Sequence, residues 1–493
     1  MQCKRNPRND IKDNSLWENR ASHCRTRLFE LCSIHETVAF DERDLAWRPL
    51  DGAPGPIRLC GGLEASMTEH DLGVAKVQSL RIAVVSQYFY PEVFRVNDLV
   101  EELVERGHEV HVLTGQSNYP SGVFARGYGG LRPRRKQLLG ANVVRVPLTA
   151  RGSGSGVRLL INYLTFAVSA TLLGPFLMRG RFDVVFTNQL SPVTVAAPGL
   201  AIACQKRATS VIWVQDLWPQ TVFAMGVIKG SFLKRLTTKF TSFLYRGMDI
   251  VLVQSPAFRK PIEEQGVLPA QIEYVPNWAE DLYRPVSVPA DAPERETMPD
   301  GFNVLFAGNL GEAQGLETLV KAIDLLRDFP DINWIILGDG RRLAWLREAV
   351  ASAGVEHRVL LLGRKPVEAM PTWFALADVL LATLKSDPVF DSTIPSKLQS
   401  YLACGRPIVA SMDGEGARVI EESGAGKTAA AGDAKALASA IRELFETTVE
   451  DRLNMSDHAL TYYQDHFSRS EVISTIENVM TRDVARRREG LKT

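Results

Sequence analysis

The sequence predicts an α/β fold made of two doubly wound, Rossmann-like domains that face each other across a cleft. Short apolar segments alternate with helix-length segments from about residue 80 onward, as in repeated βα units. A proline-rich polar stretch near residues 285–300 interrupts this alternation, which then starts again. The 493 residues also exceed what one hydrophobic core usually supports. These three observations together predict two domains.

Composition excludes few classes of function. Lys plus Arg equals Asp plus Glu at 57 each, so the net charge does not suggest a nucleic-acid partner. The six cysteines form no CxxC pair, and the eight histidines have no metal-ligand spacing. No DxD pair suggests a divalent cation. We therefore expect a reducing compartment, no cleavable signal, no structural zinc and no catalytic metal.

Domain boundaries follow from changes in pattern. Residues 1–78 have little periodicity and are predicted to be unstructured or to precede the true start, for which Met67 is a candidate. Residues 79–290 are predicted to form the first domain, 291–300 the linker and 301–465 the second domain. An arginine-rich helical pattern within 466–493 is predicted to cross back onto the first domain.

Each predicted strand is a short apolar run, which suits a parallel sheet buried on both faces. In the first domain these runs are LRIAVVS from Leu80, then 109–114, 143–146, 182–187, 211–215, 250–254 and 272–275. In the second they are 303–307, 334–337, 359–362, 379–382 and 408–410. Helices are expected at 96–106, 433–447 and 469–488, and in the intervals between strands. Ligands are then expected at the carboxyl ends of the strands.

Two segments have features of membrane contact. Leu159 to Met178 is uncharged and long enough to span a bilayer, but its polar residues and its position before a strand favour a buried crossover helix. Ser231 to Arg246 combines apolar and basic residues. It suits either an amphipathic helix on anionic lipid or a core-facing helix with a solvated basic side.

The stretch from Ser392 to Ser411 predicts a loop, a helix, a tight stop and a strand. Thr393, Ile394 and Pro395 open the helix, and Gly405 suits its left-handed stop. The free amides at a helix start favour an anion such as a nucleotide diphosphate, and Lys397 adds a positive charge. The alternative is an ordinary helix with a solvated lysine.

Glycine-bearing turns follow the predicted strands of the second domain. GNLGEAQGLE begins at Gly308, GDG at Gly338 and GRKP at Gly363, and each turn permits close approach of a phosphate to the backbone. Two other segments do not match the phosphate-binding motifs that they resemble. GAGKT at 424–428 lacks the first glycine of a phosphate loop and is predicted to be a helix stop, while the first strand is not followed by a GxGxxG fingerprint.

Polar loops end the strands of the first domain, at 92–97, 117–121, 188–192 and 216–220. Asp216 follows a wholly apolar strand, so it is a candidate base or a ligand for a substrate hydroxyl. The alternative is that Asp216 caps a helix beginning near Trp218.

Seven separated segments together resemble the GT-B glycosyltransferases of family 4, and the likeness covers about residues 80–485. They are SQYFYPEVFRVNDL, NYPSG, QLSPVT, QDLWP, EYVPNWAE, GNLGEAQGLE and IPSKLQSYLACGRPIVAS. The resemblance is closest to the WbuB type of O-antigen and capsule synthesis, which are L-fucosamine transferases. It implies a nucleotide-sugar donor in the second domain, an acceptor mainly in the first, retention at the anomeric carbon, and no metal or cofactor.

The resemblance also implies roles for individual residues. Donor-binding positions are Gly308, Asn309, Gln314, Gly338, Asp339, Arg364, Lys365, Thr393, Ile394, Pro395, Ser396 and Ser400. Catalytic positions are Asp216, Glu92, Arg95 and Lys397, and acceptor-binding positions are Asn97 and Tyr119.

The sequence departs from the wider family at four positions. Ser392 and Ser400 replace a usual pair of glutamates, and Asn309 and Gln314 replace a usual Arg and Lys. A serine hydroxyl still suits a ribose hydroxyl, and Lys397 with the helix dipole supplies positive charge.

We therefore expect transfer of a hexose or aminodeoxyhexose, UDP-linked, to a glycan on a polyprenyl diphosphate. The reaction is expected in the cytoplasm, on the inner face of the membrane. Two alternatives stay open, a sugar-nucleotide epimerase of the same architecture and a catalytically inactive sugar-nucleotide-binding assembly protein.

Overall fold

The computed structural model describes residues 79–152, 156–224, 228 and 230–490. The predictions for residues 1–78, including a start at Met67, lie outside the described residues. Two separate β-sheets organise the chain, and the α/β prediction of two Rossmann-like sheets is confirmed.

The first sheet has eight strands in the order β3-β4-β2-β1-β5-β6-β7-β8. They are β1 Arg81–Val85, β2 Glu109–Gly115, β3 Arg134–Leu138, β4 Ala141–Val146, β5 Val184–Gln189, β6 Thr209–Val214, β7 Ile250–Val253 and β8 Ile272–Tyr274. All pairs are parallel except β3 with β4. Strands β5 and β6 are buried throughout, as a sheet covered on both faces requires.

The second sheet has six parallel strands in the order β11-β10-β9-β12-β13-β14. They are β9 Phe302–Ala307, β10 Ile332–Leu337, β11 Val359–Gly363, β12 Val379–Thr383, β13 Ile408–Ser411 and β14 Gly426–Ala429. The chain order reverses between β9 and β12, and this reversal opens a crevice at their carboxyl ends. In the first sheet the same reversal lies between β1 and β5.

Sixteen α-helices connect and cover the strands in the described part of the chain. They are α1 Arg95–Glu105, α2 Gly156–Leu177, α3 Ala196–Lys206, α4 Gln220–Ala224, α5 Ser231–Arg246, α6 Arg259–Glu264, α7 Pro293–Thr297, α8 Leu316–Leu325, α9 Leu343–Ala353, α10 Met370–Leu376, α11 Pro388–Asp391, α12 Ser396–Ala403, α13 Gly414–Ser423, α14 Ala434–Glu446, α15 Val449–Phe467 and α16 Arg469–Gly490. Helix α7 lies inside the stretch predicted as a linker. Helix α13 ends at Gly424, which has a left-handed φ of 63°, so the GAGKT motif is a helix stop.

Helix α16 packs on the first domain although it follows the second in the chain. Ile473, Ile476 and Met480 join the core cluster that contains Val84 and Leu99. Glu477 accepts hydrogen bonds from Arg106 Nη1 and His108 Nε2, both at 2.8 Å. These contacts tie the two domains together at the chain end.

Helix α2 is the one described helix long and apolar enough to cross a membrane by length and composition. One of its faces is buried, with Phe166 and Ala170 in the core next to β2 and β4. Asn162 on that face is fully buried and donates to Thr149 O at 2.7 Å. The buried face makes α2 a packed crossover helix, while its outer face is exposed.

Candidate active site

Three strand-end turns join at the carboxyl edge of the second sheet. Gly308 N donates to Leu337 O at 2.9 Å, Gly338 N donates to Gly363 O at 2.8 Å, and Leu310 N donates to Asp339 O at 2.8 Å. The turns after β9, β10 and β11 are therefore hydrogen-bonded to one another. They form a continuous backbone surface, here named the glycine floor, beside the crevice at which donor binding was predicted.

This floor requires glycine at position 338. A Cβ added there would lie 1.9 Å from Gly308 O, closer than any real contact. We expect Gly338→Ala to push the second turn away from the first, to lower the melting temperature by several degrees and to weaken nucleotide binding at least tenfold. Circular dichroism melts and nucleotide titration measure both effects. Gly354→Ala is the matched control, because its Cβ would meet no atom within 4 Å although its φ is also positive; equal binding losses in both variants would contradict the role of the close approach.

Lys397 extends from α12 onto the same floor. Its Nζ donates to Gln314 Oε1 at 2.8 Å and lies 4.1 Å from the centre of the Phe306 ring. A Cβ on Gly308 would be 3.2 Å from that Nζ. In the described part of the chain Lys397 forms no ion pair with a carboxylate, and burial lowers its pKa to about 7. The arrangement is a partly buried cation without a counter-ion.

The first turn of α12, which carries Lys397, has two backbone amides without a carbonyl partner among the described residues. Pro395 is the N-cap residue, and Leu398 N donates to Pro395 O at 2.9 Å. The amides of Ser396 and Lys397 donate to no described carbonyl, as is usual in a first helical turn. Ile394 is buried and fixes the entry of the chain. The amides and the Lys397 ammonium together suit an anion.

Several predicted donor residues have protein partners in this structure. Thr393 donates through its amide to Phe390 O and through its hydroxyl to Val389 O. Ser400 is buried and donates to Ser396 O at 3.3 Å, so its contact with a ribose stays a prediction. Lys365 Nζ lies 5.5 Å from the Trp373 ring centre.

Asn309, Asp339 and Arg364 are exposed at the rim of the same floor. Asp339 Oδ1 accepts from Gly340 N at 2.7 Å, which closes the GDG turn. The structure therefore brings Gly308, Gln314 and Lys397 into direct contact, and it leaves the residues that would hold a base at the edge.

Thr383 is a neighbour that the sequence did not indicate. It ends β12, next to the point where the strand order reverses, and its hydroxyl donates to Gln314 O at 2.5 Å. This bond fixes the backbone of the residue that holds Lys397. The sequence feature that could have indicated Thr383 was a hydroxyl side chain at the end of an apolar strand.

On the first domain, Glu92 holds a loop. Its carboxylate accepts from Asn118 N and Tyr119 N, both at 2.8 Å, and from Phe89 N at 3.3 Å. Burial raises the pKa of Glu92 although these bonds oppose the shift. Because both oxygens are occupied by backbone amides, Glu92 positions Tyr119; direct participation in catalysis stays a prediction.

Arg95 and Asn97 also stabilise this part of the domain. Arg95 Nε donates to Trp278 O at 2.8 Å, and its guanidinium lies 3.7 Å from Glu280. Asn97 is buried, donates to Glu92 O at 2.7 Å and accepts from Tyr90 N at 3.1 Å. Their predicted contacts with substrates therefore stay predictions.

Asp216 follows β6 at the carboxyl edge of the first sheet. Burial raises its pKa to about 6, and a hydrogen bond from Ser191 opposes the rise. Gln189 Nε2 donates to Asp216 O at 2.8 Å and fixes its backbone. The next helix, α4, begins only at Gln220, and no described amide donates to the Asp216 carboxylate. The cap interpretation is therefore unsupported by the geometry.

An aromatic cluster next to Asp216 was missed in the sequence. Tyr88 lies 5.4 Å from Tyr119 between ring centres, and Arg151 lies 5.2 Å from the Tyr119 ring. Tyr163 has a pKa raised to about 12, mainly by burial, with Asp216 contributing. The Tyr88 hydroxyl is buried beside Arg151 and Tyr163. The cluster provides aromatic faces, hydroxyl groups and a guanidinium on the acceptor side.

Two contacts cross between the domains near these groups. Gln399 Nε2 on α12 donates to Asn277 O at 2.9 Å. Helix α4, which follows Asp216, contacts α11, which precedes Thr393. The two sets of residues therefore face one cleft. No group of three or more His, Cys, Asp or Glu side chains in the described ranges is arranged to hold a metal ion.

Two family models match the chain, one on each domain. Residues 93–278 match the "Glycosyl transferase 4-like domain", and residues 301–447 match "Glycosyl transferases group 1". Together they include the Asp216 loop, the glycine floor and Lys397.

Curated relatives carry related names. WcaI of Escherichia coli K12, named for colanic acid biosynthesis, is 28% identical over 338 residues, which are 66% of this chain and 82% of that protein. The probable glycosyltransferase WbjE of Pseudomonas aeruginosa is 30% identical over 48% of this chain and 60% of its own length. The amylovoran biosynthesis glycosyltransferase AmsK of Erwinia amylovora is 30% identical over 30% of this chain and 37% of its own length.

Solved structures show the same architecture at low identity. A sucrose-phosphate synthase from Thermosynechococcus elongatus has a TM-score of 0.63 at 17% identity, covering 82% of this chain and 99% of that one. Anabaena HepE, solved with UDP and glucose, has a TM-score of 0.60 at 16% identity over 82% of this chain and 99% of its own. At these identities the likeness establishes the two-domain fold alone.

Proposed function

We propose that this chain, which belongs to the group 1, family 4 glycosyltransferases, transfers a sugar from a UDP-sugar to a lipid-linked glycan. This transfer would take place during synthesis of a bacterial surface polysaccharide. The transfer retains the anomeric configuration, as the family resemblance implies. The donor sugar is a hexose or an aminodeoxyhexose, as in the WbuB-type enzymes of O-antigen synthesis.

The cation at Lys397 is the observation that carries this proposal. A partly buried ammonium without a counter-ion is unfavourable, and burial accordingly lowers the pKa of Lys397. A nucleotide diphosphate would supply the missing negative charge, while the free amides of α12 would bind its oxygens and the glycine floor would allow its close approach to the backbone. The same groups would stabilise the diphosphate as it leaves the sugar, without a metal ion.

The choice of UDP as the nucleotide and of a polysaccharide as the acceptor is supported by what the names of similar proteins state. HepE was solved with UDP and with UDP-glucose, and WcaI and AmsK are named for colanic acid and amylovoran biosynthesis. On the acceptor side, the proposal gives Asp216 the role of accepting a hydrogen bond from the attacking hydroxyl, which its raised pKa of about 6 supports. Tyr119 and Arg151 offer an aromatic face and a positive charge beside it. A polyprenyl diphosphate carrier would place the reaction on the inner face of the cytoplasmic membrane.

A two-stage experiment tests the proposal. A thermal-shift screen of the full chain with UDP-, GDP- and dTDP-sugars should show a rise in melting temperature for the UDP-sugars, since a ligand that binds only the native state stabilises it. The stabilising donor is then incubated with lipid-linked glycans, and mass spectrometry should find one added sugar.

Each rival function has its own outcome. Conversion of the sugar nucleotide without acceptor would establish the epimerase. Tight donor binding without transfer to any lipid-linked glycan would favour the inactive assembly protein. Stabilisation by GDP-sugars alone would contradict the choice of nucleotide but leave the reaction class intact.

A further inference from the structure

We propose that the outer face of α2 rests in the interface of an anionic phospholipid membrane, parallel to the bilayer, and so sets the orientation of the first domain. This inference rests on the proposed function only for the biological role of membrane binding, since the binding itself is measured without any substrate.

An apolar stripe runs the length of the outer face of α2. It consists of Val157, Ile161, Val168, Leu172 and Phe176, whose side chains are between 40% and 75% exposed. Successive members are four or seven residues apart, which places them on one side of the helix, over about 30 Å. Soluble domains rarely expose a continuous apolar surface of this extent without a partner.

The basic residues around the stripe indicate that its partner is anionic. Residues 110–248 contain 17 Lys and Arg but only two acidic residues, Asp183 and Asp216, although the whole chain has 57 of each sign. Arg158 is exposed near the start of α2, and Arg179 and Arg181 are exposed just beyond its end. Apolar side chains flanked by exposed cations match an acyl boundary beneath anionic headgroups.

A fourth arginine is fixed at the end of the stripe. Arg135 on the edge strand β3 donates from Nη2 to Leu177 O at 2.6 Å, at the C-terminus of α2. In the described part of the chain none of these four arginines forms an ion pair with a carboxylate. Their charges are therefore available to lipid phosphates.

The opposite face of α2 determines the orientation. It is packed against α3, β2 and β4, and the buried Asn162 hydrogen-bonds to Gln87 Nε2 and to Thr149 O. Spanning the bilayer would expose these polar groups to hydrocarbon and would break the core of the domain. The helix therefore lies along the interface, with only its stripe in contact with acyl chains.

Helix α5 enlarges the same basic region. It contacts α3, which packs on α2, and it exposes Phe232, Leu233 and Phe243 beside Lys234 and Arg235. Its buried residues, Thr237, Thr241, Leu244 and Tyr245, face the protein, as the core-facing interpretation of this segment predicts. Contact of its exposed side with lipid stays a prediction. The stripe on α2 is the longer apolar surface.

Vesicle co-sedimentation tests the proposal with the full chain and with no donor or acceptor present. We expect binding to vesicles of phosphatidylglycerol and phosphatidylethanolamine, and at least tenfold weaker binding to phosphatidylcholine alone. The double variant Leu172→Gln with Phe176→Gln should weaken binding to the anionic vesicles at least tenfold. Arg179→Gln with Arg181→Gln should weaken it severalfold and reduce its dependence on salt.

The matched control is Val449→Gln with Leu453→Gln, two exposed apolar residues of α15 at 65% and 56% exposure. This control should bind vesicles like the unchanged protein. Circular dichroism melts of all variants should coincide, because every substituted side chain is exposed. Unchanged vesicle binding in the Leu172 and Phe176 variant would overturn the proposal. The proposal would also be overturned if the parent protein bound no vesicles and instead formed a dimer, seen by sedimentation velocity, that this double variant dissociates.

Failure of this inference is distinguishable from failure of the proposed function. Loss of vesicle binding with undiminished transfer to a water-soluble acceptor analogue would support the membrane surface and leave the chemistry intact. Normal vesicle binding without sugar transfer would affect the proposed function alone.

Discussion

Lys397→Ala is expected to lower the rate of sugar transfer by about 100-fold or more, the size of effect seen when one donor to a developing anion is removed. The variant loses the cation that donates to Gln314 and lies over the Phe306 ring beside the glycine floor. Donor-dependent steady-state kinetics with a lipid-linked acceptor measure the loss. Both kcat and donor affinity should fall, because the charge contacts the diphosphate before and during its departure.

The pH dependence of donor binding provides an independent readout of the same ammonium. With a pKa of about 7 in the empty site, Lys397 is mostly charged below pH 7 and mostly neutral above it. If the diphosphate requires the charged form, binding takes up a proton above pH 7, and donor affinity falls by about tenfold per pH unit. Titration calorimetry in two buffers of different ionisation enthalpy detects this proton uptake, which should vanish in Lys397→Ala.

Lys427→Ala is the matched control for these measurements. Lys427 lies on β14, where it pairs with Glu443 at 3.1 Å. Exposed pairs of this kind contribute little to stability, so activity and its pH dependence should stay unchanged. Unchanged kinetics in Lys397→Ala would remove this residue from the mechanism, and an equal loss in both variants would indicate a general effect of charge.

The sequence predicted the two sheets because most of their strands are apolar runs buried on both faces. Strand β3 was missed since its residues, RRKQL, are charged and four of the five are exposed. It is an edge strand held by an antiparallel pairing with β4. Strand β14, GKTA, was missed because it is short and polar. Helix α15 was missed because its apolar spacing is weak, although Thr448 caps its start by accepting from Asp451 N.

The site was predicted where local sequence determines geometry and missed where distant segments meet. Glycines after apolar strands and a proline-started helix are local signals, and they indicated the floor and α12. The bond between Thr383 and Gln314 and the ring contact between Tyr88 and Tyr119 join residues 69 and 31 positions apart, which no local pattern reveals. The occupied carboxylate of Glu92 likewise depends on the fold.

Asp216→Asn is expected to lower kcat by about 100-fold, within the range for a lost general base, while donor binding changes little. The amide keeps the shape of the side chain but cannot accept a proton. A pKa of about 6 means that the carboxylate is charged above pH 6 and becomes protonated below it. In the unchanged protein kcat/KM should therefore fall as the pH drops below 6, and in Asp216→Asn this acidic limb should disappear.

Ser191→Ala separates a chemical role of Asp216 from a structural one. The Ser191 hydrogen bond favours the charged carboxylate and so lowers its pKa against the effect of burial. Without that bond the pKa rises, and the acidic limb of kcat/KM should move to higher pH while activity at pH 8 is largely kept. If Asp216 only supported the fold, Ser191→Ala would lower the melting temperature and leave the limb in place, and Asp216→Asn would regain full activity at low temperature. A shifted limb in one variant and an absent limb in the other would together assign proton transfer to this carboxylate.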